Sequence, residues 1–363
     1  MRATAGAWLA APVDPAWYST YHSCFFDTGM GQDMRRKIVA VAALAGLLGA
    51  SVAQANDSTA RVGAGGLVLQ TTGDIRMVSE HLSISVKRIE VEYRFRNESP
   101  RTIESVVAFP MPEFHWDPEQ DATWRNIGPV ETFLVHVDGK PAVVRAERKA
   151  LLDGRDITAQ LRKAGLKDDD IFRTFGEAFD TSGITLPEPF IARLQSIGAS
   201  AGTIPRWKVA ETVYWTQAFP PGKEIVVTHS YRPFAGRIFG TYSTQLPPSA
   251  DSVPVSSKGD VDGACLDEGS MKTIVNKAHQ KVKDGAESGY IYLNDVEYIL
   301  GTGRNWKGSI GDFTLDIVKE SPQDVVSLCF PGKPERIGDR TLRFKMHDYV
   351  PQDRLLLNFY SFE

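Results

Sequence analysis

Arg88 to Asn97 reads Arg-Ile-Glu-Val-Glu-Tyr-Arg-Phe-Arg-Asn, with Ile89, Val91, Tyr93 and Phe95 on one face and charged residues on the other. A two-residue period does not fit a helix; it specifies a strand with one face buried, and such a strand needs a sheet around it. Asn97-Glu98-Ser99-Pro100 supplies a turn, and Thr102 to Phe109 follows as a second apolar run, so the pair reads as a hairpin. Phe133, Val135 and Val137 alternate up to Asp138-Gly139, whose tolerance of positive φ suits a type I′ turn before Ala142 to Arg145. Val209 to Phe219 and Glu224 to Tyr231 flank Pro220-Pro221-Gly222 and read as a third hairpin, with Ile225, Val227, His229 and Tyr231 on one face. The predicted class is mainly β: an antiparallel β-sandwich with a small α-helical insertion and a second, C-terminal β unit.

The period changes between the second and third hairpins. Asp156 is placed to cap a helix carrying Ile157, Leu161 and Ala164 and closed by Gly165. Phe172, Phe175 and Phe179 are spaced for another, and Phe190, Leu194 and Ile197 mark a third between Pro189 and Gly198. The insertion spans 149–202, and its Asp168-Asp169-Asp170 reads as a solvated helix start, where carboxylates favour the helix dipole. Pro247 to Gly263 reads as a linker. After it come one amphipathic helix, Met271 to Val282, and strands at Tyr290–Tyr292, Val296–Leu300, Phe313–Ile317, Val325–Phe330, Leu342–Met346 and Leu355–Phe359. The expected division is a sandwich over 56–247 and a second unit over 248–363.

An export leader precedes this. Met34-Arg35-Arg36-Lys37 is followed by an apolar run from Ile38 to Leu48 and by Ala53-Gln54-Ala55, the basic, apolar and small-residue order of a secretory signal peptide. The expectation is a signal at 34–55, cleavage after Ala55, a natural start at Met34 with 1–33 an upstream extension, and a periplasmic or otherwise exported product. The twin-arginine context beyond Arg35-Arg36 is missing, so general secretion is expected. Beyond Ala55 the chain has 37 basic and 42 acidic residues, a net charge of −5, which lacks the basic stripe nucleic acid requires. No apolar run after Ala55 approaches the roughly 20 residues of a bilayer span. Cys265 and Cys329 remain, and an even count in an exported chain favours a disulfide over two buried thiols.

There is no His-Glu-x-x-His helix and no complete phosphate loop, and nothing implies a cofactor. Gly301-Thr302-Gly303-Arg304 reads as a turn, and Gly63 to Gly66 as a lead-in to the first strand. Asp260, Asp262, Asp267 and Glu268 resemble half of a calcium loop. Glu113, His115, Asp117, Glu119 and Asp121 mix metal-ligand types over a short polar stretch, which gives an alternative reading as a metal-dependent or carboxylate-based hydrolase. Trp116 and Trp124 lie in the most polar surroundings of the tryptophans, which gives a second alternative: a carbohydrate-binding module.

Several separated motifs resemble one family. Asn56-Asp57-Ser58-Thr59-Ala60 before Gly63-Ala64-Gly65-Gly66-Leu67, Tyr93-Arg94-Phe95-Arg96-Asn97 with Phe109-Pro110-Met111-Pro112, and Asn305-Trp306-Lys307-Gly308 before Phe313 are similar to the bacterial domain of unknown function 4424. The resemblance covers nearly all of 56–363 and implies an exported envelope protein with no catalytic residues to carry over. A weaker, partial resemblance over 62–247 is to the vault/inter-alpha-trypsin domain. It rests on Phe109-Pro110-Met111-Pro112, Val137-Asp138-Gly139-Lys140, Glu147-Arg148-Lys149-Ala150, Phe219-Pro220-Pro221-Gly222 and Tyr231. The helical insertion departs from that pattern, and the Asp-x-Ser-x-Ser of an accompanying von Willebrand A metal site does not occur.

The functional expectation is an exported, soluble, non-enzymatic binding or structural protein with an envelope protein or glycan as partner. Its expected contact surface is the insertion and the Glu113 to Trp124 loop, through Trp116, Trp124, Phe172, Phe175, Phe179 and Phe190, because loops change without unmaking a core.

Overall fold

A computed structural model describes residues 58–63, 66–115, 130–172, 188–202, 204–256 and 264–363. The expected leader at 34–55, the expected cleavage after Ala55 and the expected 1–33 extension lie outside the described residues. The protein is mainly β, built on three larger sheets. The seven-stranded sheet has the order β10 (Arg155–Asp156), β9 (Arg145–Leu152), β13 (Lys208–Phe219), β5 (Ile103–Pro110), β1 (Ser58–Gly63), β2 (Gly66–Gln70), with β6 (Phe114–His115) also on β13. The eight-stranded sheet runs β19 (Glu335–Ile337), β20 (Thr341–Tyr349), β17 (Ile310–Val318), β3 (Ile75–Ile84), β4 (Ile89–Asn97), β14 (Glu224–Tyr231), β7 (Leu134–Val137), β8 (Lys140–Pro141). The four-stranded sheet is β15 (Ala235–Ser243), β16 (Ser288–Ile299), β21 (Arg354–Phe362), β18 (Val325–Leu328), and β11 (Ser200–Ala201) pairs with β12 (Ile204–Pro205) apart from these. Pairing is antiparallel except between β17 and β3.

Two of the three expected hairpins are instead crossings between sheets. β4 pairs with β3 and β14, whereas β5, six residues on, pairs with β1 and β13 in the other sheet. β13 and β14 part in the same way across Pro220-Pro221-Gly222. Both crossings meet at Asn97, which is fully buried. Its Nδ2 donates to the carbonyls of Arg101 (2.8 Å) and Phe219 (2.7 Å), and its Oδ1 accepts from the Ser99 amide (2.9 Å) and hydroxyl (2.8 Å). Gly222 N–H donates to the Asn97 carbonyl at 2.8 Å. One residue thus closes both corners, and the alternating strands on either side serve opposite sheets. The Asp138-Gly139 turn forms as read, with φ of 48° at Asp138 and 75° at Gly139, but its second arm is Lys140–Pro141 rather than Ala142 to Arg145, and Arg145 opens β9 in the other sheet. Gly63 and Gly66 face each other across the β1–β2 connection rather than leading into a first strand.

The inward faces of the two large sheets fill one core, to which the four-stranded sheet adds Val296, Tyr298, Leu355, Leu357 and Phe359. Ile89, Val91, Tyr93 and Phe95 are all buried in it, and the Tyr93 and Tyr298 hydroxyls lie 3.2 Å apart across the sheets. Trp215 and Trp306 are core residues, Trp306 with its ring centre 4.4 Å from that of Phe95. Residues on the two sides of the expected 247/248 boundary share a sheet as well as this core: β17, β19 and β20 extend the sheet that contains β3, β4 and β14.

The insertion contributes α1 (Thr158–Ala164), α2 (Asp168–Ile171) and α3 (Glu188–Ser196). Asp156 Oδ1 accepts from the Thr158 amide at 2.9 Å, and Gly165 closes α1 at φ 104°. Leu161, Ala164, Ile171 and Leu194 pack with Trp207 and Val209 of the sheet side, and the Trp207 indole donates to Ile171 O at 3.0 Å. The described helices therefore cover one end of the seven-stranded sheet. Helix α4 (Glu268–Lys283) lays Ile274 and Ala278 on Ile291, Leu293 and Tyr360 of the four-stranded sheet. Cys265, before α4, and Cys329, after β18, form a disulfide with Cα atoms 5.1 Å apart.

Asn97→Ala is expected to cost about 2–4 kcal/mol, because it leaves the buried Phe219 carbonyl without its donor and removes the bonds to Ser99 and Arg101. Urea unfolding measures it, and an unchanged midpoint would remove the clasp from the account. Replacing both cysteines by alanine should cost about 4 kcal/mol in the chain-entropy model for a loop of this length, read the same way.

Candidate binding surfaces

Most sequence-predicted site residues lie where the structure is silent. Trp116, Trp124, Phe175, Phe179, Asp117, Asp260 and Asp262 fall outside the described residues, as do the side chains of His115 and Phe190. Phe172 is described, and it corrects the expectation: the ring is buried in the cluster beneath α1 rather than offered to a partner. Asp267, read as part of a calcium loop, is the N-cap of α4. Its Oδ1 accepts from the Ser270 amide at 2.6 Å, and that bond holds the carboxyl below its ordinary range. Glu268 pairs with Lys272 at 2.7 Å. Gly301-Thr302-Gly303-Arg304 is a packed 3₁₀ turn, held by Leu300 and Gly301 amides on Asp353 O and by Arg304 on Pro351 O. Among the described residues, no group of three or more His, Cys, Asp or Glu is placed to hold a metal.

The feature that sequence reading missed is on the four-stranded sheet. Tyr290, Tyr292 and Asn294 of β16 share one face with their cross-strand neighbours Thr241, Phe239 and Arg237 of β15. Farther along β16 that same face enters the core at Val296 and Tyr298, but at Tyr290 it opens to solvent. Phe239 is 51% exposed and Tyr290 44%. Single exposed apolar residues are ordinary; three neighbouring aromatic rings on one flat face are not. The Tyr290 and Tyr292 rings stack at 5.7 Å, 28° apart, with Phe239 edge-on to both at 5.4 and 6.0 Å. The Arg237 guanidinium lies 3.9 Å over the Tyr292 ring and 3.5 Å from a Glu363 carboxylate oxygen.

A second polar group spans the outer face of the eight-stranded sheet. His81 Nε2 is 2.9 Å from Asp316 Oδ2, and Arg343 grips both Asp316 oxygens at 2.6 Å. Burial pushes the Asp316 carboxyl upward, but the hydrogen bonds from Arg343 and His81 outweigh it and hold the group below its ordinary range. The carboxylate orients the imidazole, as in a catalytic dyad. Among the described residues, however, no hydroxyl or thiol is hydrogen-bonded to His81, so the arrangement does the work of a cross-strand ion pair joining β3, β17 and β20. Inside the core, His229 lies within 4.7 Å of Phe109, 5.0 Å of Phe133 and 5.3 Å of Tyr93, ring centre to ring centre, and burial drives its pKa down to about 3.

Residues 55–357 match the family described as Domain of unknown function (DUF4424). The chain belongs to that family. No curated protein matches it. Among solved structures, this DUF4424 chain is similar to a Legionella pneumophila protein described as a candidate nutrient binding protein, at TM-score 0.40 and 16% identity over 84% of this chain and 70% of that one. It is also similar to yeast LTA4 hydrolase, native and with bestatin, at TM-scores of 0.26 and 0.27 and 10% identity, over less than a third of that enzyme. Similarities of this size transfer no function to the DUF4424 chain.

His229 sets an acid limit on stability. Its folded pKa is depressed, so between pH 6.5 and about 3 the unfolded chain binds a proton that the native state does not. Stability should therefore fall as pH drops through that window, by up to about 1.4 kcal/mol per pH unit from this group. His229→Phe should flatten the acid limb of stability measured by urea unfolding at successive pH values. An unchanged slope would assign acid sensitivity elsewhere.

Proposed function

We propose that the protein is an exported, non-enzymatic binding component of the bacterial cell envelope, and that it holds a protein partner against the Phe239, Tyr290 and Tyr292 face of the four-stranded sheet. The observation that carries this reading is the contiguous aromatic group left exposed on a rigid sheet, with Arg237 beside it. Aromatic residues and arginine are the side chains enriched at the centres of protein interfaces, where rigid rings give area at low entropic cost. The leader at 34–55 supports the compartment.

The ring geometry favours a protein over a saccharide. A sugar stacks on a free ring face, and Tyr292 has one face under Arg237 while the near-parallel Tyr290 ring stacks against it. Tyr292 thus offers its edge and hydroxyl while Phe239 and Tyr290 add apolar area, a mix that suits the apolar and hydrogen-bonding contacts of a polypeptide surface.

The test is crosslinked affinity capture from intact envelopes with the wild type and with a Phe239→Ser, Tyr290→Ser double variant. Both side chains are largely exposed, so the variant should keep its melting temperature within a few degrees and lose the captured partner. Partners retained undiminished would overturn the assignment. A partner whose capture survives protease but not glycan-degrading treatment would replace the protein reading with the saccharide one.

A further inference from the structure

The seven-stranded sheet has an incomplete seam. β13 is paired along its whole far half by β5, from Thr212 to Phe219, but β9 pairs with it only from Lys208 to Tyr214. Arg145 opposite Tyr214 is the last rung, because the chain before it belongs to the other sheet: Ala142 N–H donates to Val135 O at 2.9 Å. Residues Ala142 to Val144 thus swing away from the line they would occupy beside Trp215 to Gln217. The wedge so opened is a groove of about 570 Å³ lined by Lys140, Ala142, Arg145, Tyr214, Trp215 and Thr216, among others.

The direction of the free backbone groups follows from the register. Glu211 O accepts from Met111 N at 2.8 Å on the β5 side, so odd-numbered peptide groups of β13 point toward β5 and even-numbered ones toward the open side. Thr216 and Ala218 therefore present their N–H and C=O to the unpaired edge. Ala218 O is closed by its own chain, accepting from Gln217 Nε2 at 2.7 Å. Thr216 has no such guard: its ladder partner is Val106 of β5, and among the described residues no strand lies opposite it on the open side. Trp215, 2% exposed, also lines the groove, and its buried indole N–H lacks an acceptor among the described residues.

An unguarded strand edge with a groove beside it is a template for strand addition. Charge selects the occupant. Lys140 and Arg145 are exposed at the groove and have no carboxylate partner among the described residues, while Asp138 has its Oδ1 occupied by the Val226 amide at 2.9 Å. We infer that this groove binds an extended acidic peptide segment, which adds a strand to β13 by pairing with Thr216, turns alternate apolar side chains toward Trp215 and Gln217, and sets its carboxylates beside Arg145 and Lys140. This site is separate from the aromatic face of the four-stranded sheet and stands or falls without it.

Fluorescence anisotropy with labelled ten-residue peptides tests the inference on the purified protein. A peptide alternating valine and glutamate should bind, and its valine–lysine counterpart should bind at least tenfold more weakly. Proline is tolerated on an edge strand where the lost N–H faces outward, so Thr216→Pro should keep the fold yet weaken the valine–glutamate peptide roughly three- to tenfold. A valine–glutamate peptide N-methylated at alternate residues should lose binding to the wild type, which tests strand pairing even if the proline variant does not fold. No binding of the acidic peptide, equal binding of the lysine or N-methylated peptide, or undiminished binding by a folded Thr216→Pro protein would each overturn the inference.

Discussion

The buried amide of Asn97 is the constraint on which the two-layer arrangement depends. A strand leaving one sheet for another must turn its backbone through a region where ladder bonds are missing, and the peptide groups exposed there need partners inside the protein. Asn97 supplies them for two corners at once: Arg101 O and Ser99 N on the crossing from β4 to β5, Phe219 O and Gly222 N on the crossing from β13 to β14. Because both corners are fixed by one side chain, the relative position of four central strands is fixed with them. The core between those strands then fills with rings that contact across the layers, such as Phe95 with Phe219 and Trp306.

Strand identity was legible in the chain, and strand partnership was not. Ile89, Val91, Tyr93 and Phe95 are buried as their alternation requires, since a two-residue period reports only that one face is covered. Whether the next strand lies beside or across is decided by the corner, and Asn97-Glu98-Ser99-Pro100 reads equally well as a hairpin turn. Asp138-Gly139 was unambiguous by comparison, because positive φ at two successive residues suits little else. The same limit explains why 248–363 read as a separate unit: nothing local to β17 reveals its parallel pairing with β3, more than two hundred residues earlier.

The aromatic surface was illegible for a different reason. β15 reads Ala-Gly-Arg-Ile-Phe-Gly-Thr-Tyr-Ser, and two glycines in nine residues weaken any strand signal. The structure shows what the glycines are for. A Cβ at Gly236 would collide with the Asp295 carboxylate, and one at Gly240 with the carbonyl of Ser252. Their absence of side chains lets neighbouring groups press onto the strand, a role that composition alone records as a penalty.

That close packing bears on how Phe239 can act. On one face β15 is held down by Ser252 and Asp295 and the adjoining β16 is covered by α4, so the strands cannot shift to bury their aromatic residues elsewhere. On the other face, Phe239 and Tyr290 are exposed and meet edge-on, and Tyr290 stacks on Tyr292, which Arg237 covers. Ordering a flexible side chain at an interface costs about 0.5–1.5 kcal/mol, and rings already fixed in the free protein avoid most of that cost. The glycines that hid the strand from sequence analysis are thus the same features that make its exposed face rigid enough to bind.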